Sequence, residues 1–151
     1  MSRSLPGLVT GTSSEYLGSR PLRRVLRERC VVIVTGPSRS GKSTVAERIA
    51  RAGGGAVDRL EGAHIYEEAV RSVRHARWSE RWKRAEVLIV DGVENLRNCV
   101  GVCNSLLRLV ETRRRQGLRT VLVEAHEDGS ADALMGAMPV GVAALLALRM
   151  P

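Results

Sequence analysis

The sequence predicts an α/β fold of three layers, with a mostly parallel five-stranded sheet between two layers of helices. Two observations carry this. Strand-like runs of β-branched residues alternate with helix-like stretches along the chain. Two of those runs, Val31-Val32-Ile33-Val34-Thr35 and Val87-Leu88-Ile89-Val90-Asp91, are apolar at nearly every position. A strand with one wet face would alternate; these read as strands buried on both faces, which a parallel sheet requires.

The elements follow in order. Residues 1–20 are rich in Ser, Gly and Thr and read as a flexible, loosely ordered lead-in, with docking on the core left open, leaving residues 21–151 as the folded core. Pro21 suits the first turn of a short helix to Arg29. The strand at Val31–Thr35 runs into a glycine-rich loop and then a helix from Lys42 to Arg51. Val45, Ile49 and Ala52 share one face of that helix, and Gly53-Gly54-Gly55 ends it. Ala56–Leu60 forms a second strand. Residues 64–83 read as helix, with Ile65, Ala69, Val70 and Val73 inward. The Val87–Asp91 strand ends in a carboxylate. A helix from Asn98 to Gln116 carries Val102, Leu106, Leu109 and Val110 as its apolar stripe, and Gly117 suits its C-terminal cap. Thr120–Val123 is a further strand, Ser130 caps a short helix to Met135, and Val142–Leu148 reads as a last strand in preference to a buried helix.

At 151 residues the chain is one domain with room for a real core. Phe is absent, so Leu, Val and Ala must fill it. No apolar run reaches the roughly 18–20 residues needed to cross a membrane. Arg3 is not followed by an apolar stretch, so no secretory signal is read and a cytoplasmic protein is expected. Cys30, Cys99 and Cys103 lack a paired spacing and read as small buried hydrophobes.

The net charge is +8, and all but Lys42 and Lys83 of the 24 basic residues are arginine. Two explanations compete. Arginine-rich coding would spread charge over solvated faces; an anionic partner such as nucleic acid would gather it. The arginines are scattered, which favours the first. The densest groups are residues 20–24, 71–84 and 113–115. Trp78 and Trp82 lie i, i+4 within the second group and suit base stacking, but that spacing is commoner in pairs that cover a core.

The chemistry concentrates in two places. Gly36-Pro37-Ser38-Arg39-Ser40-Gly41-Lys42-Ser43 matches GxxxxGK[ST] between a strand and a helix. Its glycines let backbone N–H groups turn inward onto phosphate oxygens, and the helix N-terminus adds a favourable dipole. Lys42 is expected to reach the β and γ phosphates and Ser43 to bind Mg²⁺, with Thr44 completing the nucleotide contacts. Asp91, at the carboxyl end of its strand, is placed to hold the same Mg²⁺ directly or through water. ATP and Mg²⁺ are therefore the expected ligands. Hydrolysis also needs a group to orient water. Gly92 follows Asp91, so the candidates are Glu94 first, then Glu124, then Glu61. His64, His75 and His126 are dispersed; His126 follows a strand end, though a surface role suits it better.

The stretch VLIVDGVENLRN (87–98), the following helix and QGLRTVLVEAH (116–126) resemble the core of AAA+ ATPases, most of all the replication initiator DnaA and its relatives. LVTGTSSEYLG (8–18) is loosely similar to the segment before that family's phosphate loop. The resemblance implies strand order 5-1-4-3-2 and a nucleotide-dependent role in regulation or assembly, with a protein partner or self-association. The departures count too. The family's second acid after the Walker B Asp is replaced by Gly92. Glu124 or Ala125 stands where a Ser, Thr or Asn sensor is usual. Residues 134–139 hold no arginine where the family has its arginine finger. No helical lid is expected after the last strand. A minimal core with weak or partner-dependent ATPase activity is expected. The alternatives are a small-molecule kinase, which GPSRSGKSTVAERIA and the Asp91-Gly92 pair also suit, and a scaffold that kept the fold without catalysis.

Overall fold

In the computed structural model, which describes residues 8–11, 30–71, 81–96, 99–125 and 143–148, the β-branched runs form the middle of a parallel sheet. Its strands are β1 (Leu8–Gly11), β2 (Val31–Gly36), β3 (Val57–Glu61), β4 (Val87–Asp91), β5 (Arg119–Ala125) and β6 (Ala143–Leu148). They lie in the order β1-β6-β2-β5-β4-β3, and every pairing is parallel. The five expected strands stand in the expected order. The sheet has a sixth member because Leu8–Gly11, read from sequence as part of a flexible lead-in, pairs with the outer edge of β6. A four-residue edge strand draws its order from a neighbour's free edge, and its own pattern is too short to announce it.

Alternation along the strands divides the core in two. Val32, Val34, Ile89, Val121 and Val123 face α1 (Lys42–Arg51), meeting Val45, Ala46, Ile49 and Ala50. Val31, Ile33, Leu88, Val90 and Leu122 point the other way. There they meet Ile65 of α2 (Gly62–Arg71) and Val102, Leu106, Leu109 and Val110 of α3 (Val100–Arg115). β2, β4 and β5 are thus buried on both sides, which is why their sequences do not alternate. Most of these side chains are under 5% exposed. Among the described residues no helix is long and apolar enough to cross a membrane.

Two sequence expectations change. The helix expected over 64–83 is α-helical to Arg71, residues 72–80 lie outside the described residues, and residues 81–84 form turns. The carbonyls of Trp82 and Ala85 are taken by Arg113, a use that removes them from any helical ladder. Arg113 itself, read from sequence among solvated arginines, is fully buried at 0% exposure. Its Nε donates to Thr120 Oγ1 at 2.9 Å, one Nη to Trp82 O at 2.9 Å and Ala85 O at 2.6 Å, and the other to Arg119 O at 2.8 Å. Burial lowers its pKa to about 10, so it stays charged at neutral pH. It clips the end of α3 to the approaches of β4 and β5. The short helices expected at 21–29 and 130–135, and Trp78, His75 and His126, lie outside the described residues.

Trp82 is half-buried against the core, with the Arg81 guanidinium 5.0 Å from its ring. That is the core-covering reading of this tryptophan. The three cysteines are free and half-buried. Cys103 Sγ donates to Leu96 O at 2.8 Å; burial, with Cys99 and Glu124 nearby, raises its thiol pKa and holds it protonated.

Candidate nucleotide site

Gly36 is both the last residue of β2 and the first of the phosphate loop. The space for a Cβ there is taken: it would meet Ser40 Oγ at 2.8 Å and Leu148 O at 3.0 Å. Ser40 N–H donates to Pro37 O at 3.3 Å, closing the turn. Pro37 is half-buried, Ser38 and Arg39 are exposed, and Ser40 is buried. Its hydroxyl has no partner among the described residues. Lys42 Nζ donates to Pro37 O at 2.5 Å, spanning the loop. Gly41, at φ 87°, is the N-cap of α1; it supplies no side-chain acceptor, and the first turn holds no acid. The helix start therefore presents N–H groups and a positive dipole end that neither its N-cap nor its own first turn neutralises. That is a setting for an anion.

Asp91 closes β4, and its side chain is 18% exposed. Ser43 Oγ, at the start of α1, approaches Asp91 Oδ2 at 3.4 Å. Sequence places these two residues 48 positions apart; the fold joins them. Neighbouring oxygens in a Mg²⁺ shell with bonds of about 2.1 Å lie about 3.0 Å apart, so the pair fits a hard dication with little movement. Among the described residues no cluster of three His, Cys, Asp or Glu could hold a metal by itself. An ion here would complete its shell with phosphate oxygens and water.

The same Asp91 oxygen is engaged by Arg59 of β3, a residue sequence reading did not single out. Its Nη2 forms a short ion pair with Asp91 Oδ2. Nε reaches Glu61 Oε1 at 3.2 Å, and Nη1 lies 3.8 Å from Glu47 Oε2 of α1. Partial burial works against its charge, but Asp91 and Glu61 outweigh that and raise its pKa above the ordinary value. The register explains the gathering: Glu61 stands beside Asp91, and Arg59, two residues back, shares its face. Only strand register could have revealed it. Beside this cluster an open groove of about 440 Å³ is lined by Ser43, Thr44, Glu47, Arg48, Arg51 and Arg59.

Gly92 has a conformational reason. It sits at φ 72°, and a Cβ there would meet Asn95 Nδ2 at 2.9 Å. Its carbonyl accepts from Asn95 N at 3.1 Å and Asn95 Nδ2 at 3.0 Å. Gly62, where β3 passes into α2, packs so closely that its own Cβ would lie 2.1 Å from Gly92 O. The chain turns sharply after Asp91 into a 3₁₀ turn, Val93–Leu96, and an acid at position 92 would have to adopt left-handed backbone.

Glu94 lies in that turn. Its Oε2 accepts from the N–H of Ala125, the last residue of β5, at 3.1 Å. Ala125 stands in register with Gly36, so Glu94 is held at the strand ends between Asp91 and the phosphate loop. Glu124 is 1% exposed and faces the α3 side with Leu122, away from the α1 face. Glu61 is spent on Arg59. His64 is exposed and pairs with Glu68 of α2. In the run 113–115, Arg113 is internal while Arg114 and Arg115 both engage Glu111, so this group does not make a free basic patch.

No family model and no curated protein matches the sequence. Solved structures do. Domain III of the Thermotoga maritima replication initiation protein DnaA matches with TM-score 0.67 at 16% identity, over 92% of this chain and 63% of that one. A replication initiator DnaA bound to AMPPCP and single-stranded DNA matches with TM-score 0.63 at 14% identity, over 86% of this chain. The DnaC helicase loader matches with TM-score 0.56 at 12% identity, over 77% of this chain and 72% of that one. This chain spans 44% of the length of the DNA-bound DnaA. The fold is thus the α/β fold of a parallel sheet between helices, shared with domain III of DnaA.

Proposed function

We propose that this chain binds ATP with Mg²⁺ and acts as a nucleotide-dependent regulatory or assembly factor, with ATP hydrolysis weak or dependent on a partner. The observation that carries this is the meeting of Ser43 and Asp91 at the open start of α1, beside the Gly36–Ser43 loop. The nucleotide-bound DnaA neighbour supports the same reading. Backbone N–H groups of the loop and Lys42 would cradle the phosphates, and Ser43 and Asp91 would hold the ion. Bound there, Mg²⁺ would neutralise charge on the phosphate oxygens.

The chain's own groups do less for turnover. Glu94 is placed to orient a water, but it already accepts the Ala125 N–H. The backbone at Gly92 resists an acid. A partner supplying an arginine in trans could raise the rate by about 10³–10⁵. A DNA-bound initiator and a helicase loader among the neighbours make a protein partner or nucleic acid the natural readouts of the nucleotide state.

The test is binding of a fluorescent ATP analogue with and without Mg²⁺. Lys42→Ala should weaken binding by at least about tenfold, and Asp91→Asn should remove the benefit of Mg²⁺. Phosphorylated product from a nucleoside or metabolite panel would overturn the regulatory reading in favour of a kinase.

A further inference from the structure

We propose that Arg59 is a built-in cation at the metal position, which Mg²⁺ must displace from Asp91 when nucleotide binds. This rests on the reading that Ser43 and Asp91 hold the ion. The geometry is specific to one oxygen. Asp91 Oδ2 is approached by Ser43 Oγ and is the partner of Arg59 Nη2. A guanidinium nitrogen and a dication cannot both sit at bonding distance on that oxygen, because like charges a few ångströms apart repel strongly.

The surroundings make the exchange a swing. Three carboxylates converge on one guanidinium, each through a different nitrogen: Asp91 through Nη2, Glu61 through Nε, Glu47 through Nη1. When Nη2 leaves Asp91, Glu61 and Glu47 still hold the side chain beside the site. β3 is the last strand of the sheet, and the Arg59 side chain is 42% exposed, so among the described residues the side chain has room to move. With Arg59 on Asp91, the carboxylate is already oriented and its charge balanced. ATP binding is then Mg²⁺-dependent, since entry of the ion is what releases the arginine toward the groove it lines.

The measurement is the Mg²⁺ midpoint for binding of a fluorescent ATP analogue by the full chain. Four proteins are compared: the unaltered chain, Arg59→Gln, Asp91→Asn and the double variant. Arg59→Gln should lower the midpoint about two- to fivefold, the scale of a partly exposed ion pair. Asp91→Asn has no Mg²⁺ dependence left to shift, so in that background the same change should leave ATP-analogue affinity unaltered at every Mg²⁺ concentration. Arg59→Ala should repeat the direction, and thermal melting checks that each variant is folded. An unchanged midpoint in Arg59→Gln would overturn the proposal. A raised midpoint would also overturn it, and would make Arg59 a phosphate contact. If the unaltered chain binds ATP with no dependence on Mg²⁺ or on Asp91, the Ser43–Asp91 site itself is wrong and the proposal falls with it.

Discussion

Replacing Arg113 by Met should destabilise the protein by about 3 kcal/mol without touching nucleotide affinity. The side chain is fully buried and uses four of its five N–H donors on Thr120 Oγ1 and the carbonyls of Trp82, Ala85 and Arg119. Met keeps the apolar stem but leaves three carbonyls and a hydroxyl without their donor. Each orphaned buried group costs about 1–3 kcal/mol. Against this, removing a buried charge returns several kcal/mol of desolvation, and the difference gives the figure above. For a chain of this size it corresponds to a fall in Tm of roughly 6–12 °C. Urea and thermal unfolding would read it. Arg113→Lys keeps the charge but reaches fewer acceptors and should fall in between. Arg114→Met is the control: that side chain is 38% exposed and pairs with Glu111, so the change should cost under about 1 kcal/mol. Arg113 lies where β5 begins and the phosphate loop where β2 ends, so folded Arg113→Met should bind the ATP analogue normally. A loss below about 1 kcal/mol would refute the reasoning, because the charge's burial would then cancel all four hydrogen bonds.

Three further outcomes follow from the same structure. Gly92→Glu, which puts an acid directly after Asp91, should lower stability by about 1–2 kcal/mol through its left-handed backbone and yield no added ATPase; faster turnover than the unaltered chain would disprove the backbone argument. Glu111 is held at a pKa of about 2, first by its hydrogen bond from Arg114, with burial opposing and Arg115 adding. A carboxylate with a lowered native pKa stabilises the fold above its ordinary value of 4.5, and that contribution fades as pH falls toward 2. Urea midpoints should therefore drop faster between pH 4.5 and 2 in the unaltered chain than in Glu111→Gln, with parallel curves above pH 5; equal slopes in the acid range would contradict this. Glu94→Gln should leave ATP-analogue affinity within about twofold while lowering any measurable turnover, and a large loss of affinity would show that Glu94 holds the loop.

Sequence alone determined β2, β4, the glycine-rich loop between β2 and α1, and the carboxylate that closes β4, for one physical reason. Burial on both faces and the tight wrapping of backbone around an anion each demand residue types at adjacent positions. The same locality made α1, α3, β5 and the start of α2 legible. Edge strand β1 was not, since its order comes from β6. Nor were the two arginines. Arg113 lies in a basic run indistinguishable from a solvated one, and only the closure of α3 onto the starts of β4 and β5 buries it. Arg59 meets Asp91 through the register of β3 on β4, and Ser43 reaches the same oxygen across 48 residues. Gly92 could be seen as a missing acid, but the reason it is glycine, a left-handed turn pressed against Gly62, exists only in three dimensions. Local pattern specifies elements and the phosphate cradle; which charges share a carboxylate is decided by strand pairing, because side chains distant in sequence interact only once the backbone has fixed their separation.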